Sequence, residues 1–304
     1  MANDGKVKQH IPKELRYSVR DFHKEFPNDA ACLEYVKEQR WPDGMADCAK
    51  CGKKTKHHRV GNRTAYACQF CGTHIYPLAG TIFEKSSTPL KTWFYAMYLM
   101  GSTRCGISAK QVQRETGVTY KTAWRIFKQV RSLLSEGDLQ LEGPTVEVDE
   151  TYVGGVRKYG VGRPMRGDKK KMVVVGIVQR RGMAMAKVVR DTSAKSLVPF
   201  VRKHVVPGSV VYTDQWSGYN TISKGRRYIH RKINHANSYV VGDIHTNSVE
   251  GLWSLIKRGI GGVYHSVSPE YLQTYLDEYT FRYNRRHEGN FQFKSILERA
   301  SSQV

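Results

Sequence analysis

Residues 145–153 read TVEVDETYV, and this stretch decides the fold of the second half of the chain. Its valines alternate with other residues, which predicts a β-strand with Asp149 near the middle. Because successive side chains of a strand point to opposite faces, Glu147 shares the face of Asp149 and Glu150 lies on the other face. We therefore take Asp149 as the candidate site residue, with Glu147 and Glu150 as nearby alternatives.

The rest of this half alternates predicted strands and helices. A short β-rich run, VVYTD, ends at Asp214, and a later amphipathic helix carries Glu250. This order predicts a multidomain chain that ends in an α/β domain of the RNase H-like type with a mixed sheet. After the first strand, we expect strands at 171–179, 184–190, 210–214 and 227–233, and helices at 193–205 and 246–258.

Three acids from these elements can converge at one site: Asp149 on the first strand, Asp214 at the end of the fourth, and Glu250 on the later helix. Clustered carboxylates repel one another unless cations lie between them. Carboxylate oxygens suit hard ions, so we expect magnesium as the catalytic cofactor, with manganese able to replace it. Two such ions would activate a water or a 3′-hydroxyl and stabilise the leaving oxygen, which predicts a phosphoryl-transfer enzyme.

Two short motifs, CAKCG at 48–52 and CQFCG at 68–72, indicate a zinc ribbon in the front half. Each presents two thiolates in one turn, and the following glycine lets the backbone fold over the sulfurs. Four thiolates leave no open position, so the predicted zinc is structural, the alternatives being a redox pair or buried thiols. The predicted ligands are Cys48, Cys51, Cys68 and Cys71. We expect Cys32 and Cys105, which lack such spacing, in the core.

The segment 107–134 has the pattern of two helices joined by a tight turn. Gly117 ends the first helix, and Thr119 can cap a second helix whose apolar residues recur at helical spacing. This pattern is typical of a DNA-binding helix-turn-helix, although an ordinary helical hairpin shares it. The second helix offers candidate contacts to bases and phosphates at Tyr120, Lys121, Thr122 and Arg125.

The chain carries a formal net charge of +22, which favours a polyanionic partner, with nucleic acid ahead of an anionic membrane surface. Basic residues recur along the whole chain, so we expect an extended path for double-stranded DNA. A basic cluster closes the last helix at 282–286. Further candidate DNA contacts lie at Arg163, Arg166, Lys169, Lys170, Lys257 and Arg258.

The ends of the predicted domains follow from these motifs. No apolar run is long enough for a transmembrane helix, and residues 1–10 lack the apolar centre of a secretory signal, so we expect an intracellular protein without membrane contact. The expected segments are 1–40 (helical), 41–85 (zinc ribbon), 86–135 (helix-turn-helix), 136–144 (linker), 145–299 (catalytic domain) and 300–304 (tail).

Several longer motifs resemble one known family. They are RWPDG (40–44), VEVDETYVGG (146–155), VYTDQWSGY (211–219), HTNSVEGLWSLIKRGIGGVYHSVS (245–268) and YLDEYTFRYNRR (275–286), beside the two cysteine motifs. Over nearly its whole length the chain resembles bacterial insertion-sequence transposases of the zinc-ribbon group related to the eukaryotic Merlin elements.

The resemblance implies an RNase H-like domain with an Asp-Asp-Glu triad, which falls on Asp149, Asp214 and Glu250. The family's basic residue seven positions after the glutamate falls on Lys257, which would hold a phosphate near the cleaved end. Some relatives have asparagine as the third residue, so Asn247 is an alternative. His245 is expected either to support the site or to contact phosphate, the alternative being a polar loop residue.

The implied activity is DNA transposition. The chain would bind the terminal inverted repeats of its element, hydrolyse the phosphodiester at each end, and use the exposed 3′-hydroxyl to attack target DNA. Two ends must be brought together, so a homodimer or larger assembly is expected, in the bacterial cytoplasm at the nucleoid. The alternatives are an RNase H-like nuclease that only hydrolyses and a catalytically inactive zinc-ribbon DNA-binding regulator.

Overall fold

The computed structural model describes residues 12, 15–154, 171–233, 246–289 and 292–302. Its internal contacts divide the chain into two compact units. The first unit contains the described residues up to Leu133 together with those from His287 onward, and the second runs from Leu134 to Arg286. The chain therefore leaves the first unit, forms the second, and returns to the first.

Two helices begin the first unit, within the segment 1–40 that was predicted as helical. Ser18 and Asp21 cap the first helix reciprocally, and the Asn28 side chain accepts from the backbone N–H of Ala31 at the start of the second. Phe22, Phe26, Leu33 and Val36 are buried, and so is Cys32, as predicted. The two helices are α1 (Val19–Glu25) and α2 (Asp29–Arg40).

A small antiparallel sheet follows in the region predicted as the zinc ribbon. Its strands lie side by side in chain order, and each is joined to the next by a tight connection. Cys48 follows the first strand directly, and Cys68 ends the third. The strands are β1 (Met45–Asp47), β2 (Lys54–Arg59), β3 (Tyr66–Cys68) and β4 (His74–Ile75).

Three helices complete this part of the first unit: α3 (Leu90–Ser102), α4 (Ala109–Thr116) and α5 (Tyr120–Ser132). As predicted, Gly117 ends α4 with a left-handed φ of 72° and Thr119 caps α5 by accepting from a backbone N–H; Ser108 caps α4 in the same way. The predicted apolar face of α5 is buried. Cys105, predicted in the core, is instead exposed in the connection between α3 and α4.

The last helix, α9 (Gln292–Ser301), also belongs to the first unit. Its Phe293 is fully buried and makes ring contacts with Tyr17, Phe22, Phe26 and Tyr98. Our predicted catalytic domain ended at residue 299, but the second unit ends at Arg286. Phe293 gives the reason, since an apolar anchor buried in the core of the first unit places its helix there.

The second unit is built on a mixed five-stranded sheet in the order β7-β6-β5-β8-β9. Neighbours β5, β6 and β7 run antiparallel, whereas β5, β8 and β9 run parallel. All five strands match the predicted ranges to within two residues. They are β5 (Thr145–Val153), β6 (Met172–Gln179), β7 (Ala184–Val189), β8 (Val210–Thr213) and β9 (Ile229–Lys232).

Helices cover both faces of this sheet. On one face, Val146 and Val148 of β5 pack with residues of α6 (Ala194–His204). On the other, β5 and β6 pack with α7 (Asn247–Gly259) and α8 (Leu272–Asn284). Because side chains alternate along β5, its odd-numbered residues from 147 face α7. Glu147 and Asp149 therefore face α7, whereas Glu150 faces the α6 side of the sheet.

Residues 136–144, predicted as a linker, form part of the second unit. Leu141 is fully buried in the core on the α6 face, and its backbone N–H donates to the carbonyl of His204 at 2.7 Å. Leu139 packs against the same core. The polar composition of this segment suggested a loose connection, but its two leucines anchor it.

Side chains of α8 cover the outer edge of the sheet at β7. The amide of Gln273 accepts from the N–H of Val188 at 2.9 Å and donates to the carbonyl of Ala186 at 3.1 Å. The amide of Asn284 pairs in the same way with both backbone groups of Ala184, at 2.7 and 3.0 Å. An exposed edge would leave these groups unpaired, so α8 supplies the missing partners.

Candidate active site

The register of the sheet brings two predicted acids to the same level. β5 and β8 are parallel neighbours in which Glu147 lies opposite Tyr212. Asp149 and Asp214 each lie two residues further along, Asp149 in the middle of β5 and Asp214 directly after the end of β8. Both side chains are half-buried. The register therefore places Asp149 and Asp214 at the same level of two adjacent parallel strands.

Asp149 is half-buried, whereas Glu250 is exposed. The pKa of Asp149 is raised to about 6, first by burial and then by the negative charges of Asp214 and Glu250, while a hydrogen bond from Trp253 lowers it. That bond runs from indole Nε1 to Asp149 Oδ2 at 2.9 Å. Asp149 therefore lies within electrostatic reach of both Asp214 and Glu250.

A glycine in the neighbouring strand permits the Trp253 contact. Gly176 of β6 pairs with Asp149 across the sheet. A Cβ atom at Gly176 would lie 2.5 Å from Cη2 of Trp253, so a larger residue would displace the indole. Because glycine has no side chain, Trp253 of α7 can lie against β6 at Gly176 and reach the carboxylate of Asp149.

Glu250 lies in the first turn of α7, with its side chain exposed. Thr246, just before the helix, donates from Oγ1 to Glu250 Oε1 at 3.2 Å. Asn247 is also exposed, at the first position of the helix. Lys257 is exposed and follows Glu250 by seven residues, about 10 Å along the same helix face. Both predicted candidates for the third position are thus accessible to a ligand.

Glu147, the alternative on the face of Asp149, is fully buried and already occupied. Arg180 Nε donates to its Oε1 at 2.7 Å, and the backbone N–H groups of Ser248 and Val249 donate to its Oε2 at 2.7 and 3.1 Å. A carboxylate with this set of donors is not available to a metal ion. The structure therefore favours Glu250 over Glu147 as the third acid.

Glu150 faces the opposite side of β5, as predicted, but it has a partner that the sequence analysis missed. The hydroxyl of Tyr219 donates to Glu150 Oε2 at 2.5 Å. Burial raises the pKa of Glu150 to about 7, the Tyr219 hydrogen bond opposes the rise, and the charges of Asp214 and Asp149 add to it. The signal was present in the sequence, because Tyr219 ends the same motif that contains Asp214.

A second feature missed by the sequence analysis is an exposed indole beside Asp214. The side chain of Trp216 is 45% exposed, although its Nε1 donates to the Thr192 carbonyl at 2.8 Å. Its backbone N–H donates to Asp214 Oδ1 at 2.9 Å. Trp216 also lines an open cavity of about 450 Å³ with residues 191–194. The indole is therefore held at Nε1, two residues after Asp214, while nearly half of the side chain stays exposed.

The four predicted zinc ligands of the first unit lie together. Their Sγ atoms are all within 4.8 Å of one another, with 3.4 Å between Cys48 and Cys71 and 3.8 Å between Cys51 and Cys68. Zinc–sulfur bonds of about 2.3 Å in a tetrahedron separate the sulfurs by about 3.8 Å, so the cluster fits one zinc ion. The two cysteine turns, 48–52 and 68–72, have similar backbones, since Gly52 and Gly72 both take left-handed φ angles.

The acids of the second unit form a more open group. Within the described part of the chain, the cysteines are the only set of three or more potential ligands whose atoms are mutually within 4.8 Å. Asp149, Asp214 and Glu250 are therefore not gathered around a single point. Three carboxylates that share two magnesium ions about 4 Å apart need not all bind the same ion. The three acids therefore still suit magnesium, which prefers oxygen ligands.

The predicted DNA-contacting residues of α5 are partly available. Tyr120 is 43% exposed and Lys121 is exposed, whereas Thr122 is half-buried. Arg125 is exposed but donates to Thr88 Oγ1 at 3.2 Å. The start of α5 therefore exposes the ring of Tyr120 and the ammonium group of Lys121. Arg125 would have to give up its hydrogen bond to Thr88 before it could bind a phosphate.

Other basic candidates divide into two groups. Arg258 is exposed beside Lys257, whereas the cluster predicted at the end of α8 is used within the fold: Arg282 pairs with buried Glu278 at 2.7 Å, and Arg285 pairs with Glu136 at 2.6 Å. Arg163, Arg166, Lys169, Lys170 and His245 lie outside the described residues.

Comparisons with known proteins match both units. Residues 140–284 match the family model of the ISXO2-like transposase domain, and residues 27–74 match that of the transposase zinc-ribbon domain. The first match includes the three acids, and the second includes the four cysteines. In the described parts of the chain, every helix is too short or too polar to cross a membrane.

Three individual proteins are similar to this chain. An uncharacterized protein in transposable element ISH50 of Halobacterium salinarum is 28% identical over 299 residues, covering 91% of this chain and 98% of the relative. An uncharacterized transposase-like protein of Haemophilus influenzae is 28% identical over 97 residues, covering 32% of this chain and 77% of the relative. The crystal structure of a pre-cleavage Mos1 transpososome aligns with 65% of this chain and with 75% of the chain in that structure, at 10% sequence identity and a TM-score of 0.26.

Proposed function

Residues 140–284 belong to the ISXO2-like transposase domain family and residues 27–74 to the transposase zinc-ribbon domain family, and from this premise we propose that the chain cleaves the ends of its element and joins them to target DNA. The observation that carries the proposal is the placement of the three acids: Asp149 and Asp214 lie at one level of adjacent parallel strands, and Glu250 lies in the first turn of the helix that packs on β5. Three carboxylates that repel one another are costly without cations, and phosphoryl transfer uses such cations.

The topology supports an RNase H-like fold for the second unit. Three antiparallel strands are followed by two parallel ones, with helices on both faces. In this arrangement Asp149 lies on the central strand, Asp214 at the end of its parallel neighbour, and Glu250 on the helix that covers them. Each acid comes from a different element, so the site depends on the whole sheet being formed.

The side chains around the acids have distinct tasks. Asp149, Asp214 and Glu250 would hold two magnesium ions, which supply an activated nucleophile and neutralise charge on the transferring phosphate. Trp253 fixes the orientation of the Asp149 carboxylate, and Thr246 does the same for Glu250. Lys257 lies on the same helix face and would bind a phosphate of the cleaved end. Asn247 would support the ions from the first position of α7.

The first unit would recognise the element ends. The exposed Tyr120 and Lys121 at the start of α5 suit a helix that enters a DNA groove. The zinc ribbon, held by its four cysteines, would add a rigid second contact. The net charge of +22 supplies affinity for the phosphate backbone of both ends and target. Two ends must meet in one complex, so we propose a homodimer or larger assembly on DNA.

The test uses a duplex that carries the terminal inverted repeat found beside the gene. Asp149→Asn, Asp214→Asn and Glu250→Gln should each abolish cleavage and joining in magnesium while binding to the same duplex without metal is unchanged or slightly tighter. Glu270→Gln removes an exposed carboxylate before α8 and serves as the matched control, which should retain activity.

The products separate the alternative functions. Cleavage without any joined product would identify a nuclease instead of a transposase. Specific binding with no cleavage in magnesium or manganese would identify a regulator or an inactive copy. Activity in Glu250→Gln, together with loss in Asn247→Ala, would move the third ligand to Asn247.

A further inference from the structure

Two acids of β5 are not needed as metal ligands, and their contacts assign them another task. We propose that Glu147 and Glu150 are positioning residues, each of which ties one other acid-bearing element to the strand that holds Asp149. Glu147 fixes α7 and so Glu250, whereas Glu150 fixes the segment that follows β8 and so Asp214. The inference rests on the proposed function only in taking Asp149, Asp214 and Glu250 as the ligands.

Glu147 acts as the cap of α7. The first N–H groups of a helix have no partner within the helix and lie at the positive end of its dipole. In α7 the preceding Thr246 makes no side-chain cap bond, and the carboxylate of Glu147 receives the N–H groups of Ser248 and Val249 instead. Ser248 Oγ adds a third bond at 3.1 Å. The helix start is thereby tied to the sheet two residues before Glu250.

Arg180 completes the Glu147 contact. Its Nε donates to Glu147 Oε1 at 2.7 Å, and Glu147 itself is fully buried. A buried carboxylate needs such a counter-charge to remain ionised, and only an ionised group accepts from all of these donors. Because Glu147 and Asp149 share one face of β5, the capped helix is placed directly over Asp149.

Glu150 makes the matching contact on the other face. Tyr219 is fully buried in the core under α6, and its hydroxyl reaches Glu150 Oε2 at 2.5 Å. Tyr219 is the last residue of a short 3-10 turn, Ser217–Tyr219, which begins three residues after Asp214. Within the same segment, Asp214 Oδ1 receives the backbone N–H of Trp216 at 2.9 Å. A hydrogen bond to Glu150 therefore holds the turn that sets the direction of Asp214.

These two contacts give β5 an organising role. One strand of nine residues supplies a ligand and two anchors, and each anchor joins a different element to the ligand. Loss of an anchor leaves Asp149, Asp214 and Glu250 in the chain, but the distances between their carboxylates then vary over a wider range. Binding of a metal ion must then order them again, so the ion should bind more weakly.

The experiment measures metal affinity directly in the full-length protein. Free manganese is followed by electron paramagnetic resonance during titration of the metal-free acid site, with zinc present in the ribbon. Glu147→Gln and Tyr219→Phe should each weaken manganese binding about tenfold, and the magnesium concentration for half-maximal cleavage should rise by a similar factor. Saturating metal should restore most of the cleavage rate, and DNA binding without metal should not change.

Matched controls separate positioning from general stability. Tyr228→Phe removes another tyrosine hydroxyl from the same core, one that donates to the Val205 carbonyl at 2.9 Å. Glu278→Gln disturbs another buried glutamate that pairs with an arginine. Both controls should lower the unfolding temperature without changing manganese affinity. If Glu147→Gln does not fold, Ser248→Ala removes one of its contacts and should still weaken manganese binding by a few fold.

Unchanged manganese affinity in folded Tyr219→Phe and Ser248→Ala would overturn the inference. Complete loss of binding at every manganese concentration in Glu147→Gln or Glu150→Gln would also overturn it, because that result identifies a ligand. The outcome for the proposed function is separate. A wild-type protein that binds manganese but does not cleave or join DNA would refute the transposase activity and leave the positioning test intact.

Discussion

Replacement of Gly176 by alanine should destabilise the second unit through a single contact. The added Cβ would lie 2.5 Å from Cη2 and 2.6 Å from Cζ2 of Trp253, and 3.3 Å from Cγ2 of Val249. An ordinary carbon–carbon contact needs at least about 3.5 Å, so the indole must shift by about 1 Å. Overpacking of this kind costs about 1–3 kcal/mol of unfolding free energy.

The same shift should disturb Asp149. Its hydrogen bond from Trp253 Nε1 is 2.9 Å long, and a displacement of about 1 Å exceeds the range of a good bond. Urea unfolding followed by circular dichroism should show a midpoint lowered by about 0.5–1.5 M, at an unchanged slope of about 2 kcal/mol/M. Cleavage in magnesium should fall as well, because the carboxylate loses its orientation.

Gly251→Ala is the matched control. Gly251 lies in α7 with open space around a Cβ at that position, so alanine should stabilise the helix by about 0.5–1 kcal/mol. The two substitutions add the same methyl group and should move the midpoint in opposite directions. A midpoint for Gly176→Ala equal to that of the wild type would show that Trp253 does not lie against β6 as described.

Four further outcomes are expected. Purified protein should contain one zinc per chain by metal analysis, and Cys68→Ser should lose it and unfold the ribbon; freshly purified protein without zinc would contradict this. Binding to unrelated duplex should weaken steeply with salt, because phosphate neutralisation releases counterions, and a flat response would remove that explanation of the charge. Lys257→Ala should reduce cleavage without abolishing metal binding, and a fully active variant would exclude the phosphate contact. Burial raises the pKa of Asp149 to about 6, so the metal-free native state takes up a proton that the unfolded state does not, and this group should add about 1 kcal/mol of stability from pH 7 to pH 5. In urea unfolding at the two pH values Asp149→Asn should gain less stability by that amount, because only Glu150 and other groups with a raised pKa still contribute, and an undiminished gain in the variant would assign the whole gain to those groups.

The strands and helices of the second unit were predictable because each carries its own local signal. Buried strands such as β6 consist of nearly continuous β-branched residues, and α7 shows apolar residues at helical spacing. The level of the two strand acids also followed, since Asp149 lies in the middle of one recognisable strand and Asp214 directly after the end of another. Local pattern therefore sufficed for these elements and for the position of the acids along them.

The remaining features depend on partners far apart in the chain. Glu147 meets Ser248 after 101 residues, and Glu150 meets Tyr219 after 69. No local pattern distinguishes an anchor from a surface acid, because the distinction lies in what the fold places opposite it. The same reason explains the packed segment 136–144, which looked like a linker until Leu141 was seen in the core.

The return of α9 to the first unit has a consequence for synthesis on the ribosome. The zinc ribbon and helices α1 to α5 emerge first, but their core stays incomplete until Phe293 arrives. At about 5–20 residues per second, translation of the last 170 or so residues takes about 10–30 s, during which the apolar surface that receives α9 is uncovered. A prematurely terminated product should therefore expose this surface and be degraded rather than persist as a folded fragment. The core of the part made first is completed only when nearly the whole chain has been translated.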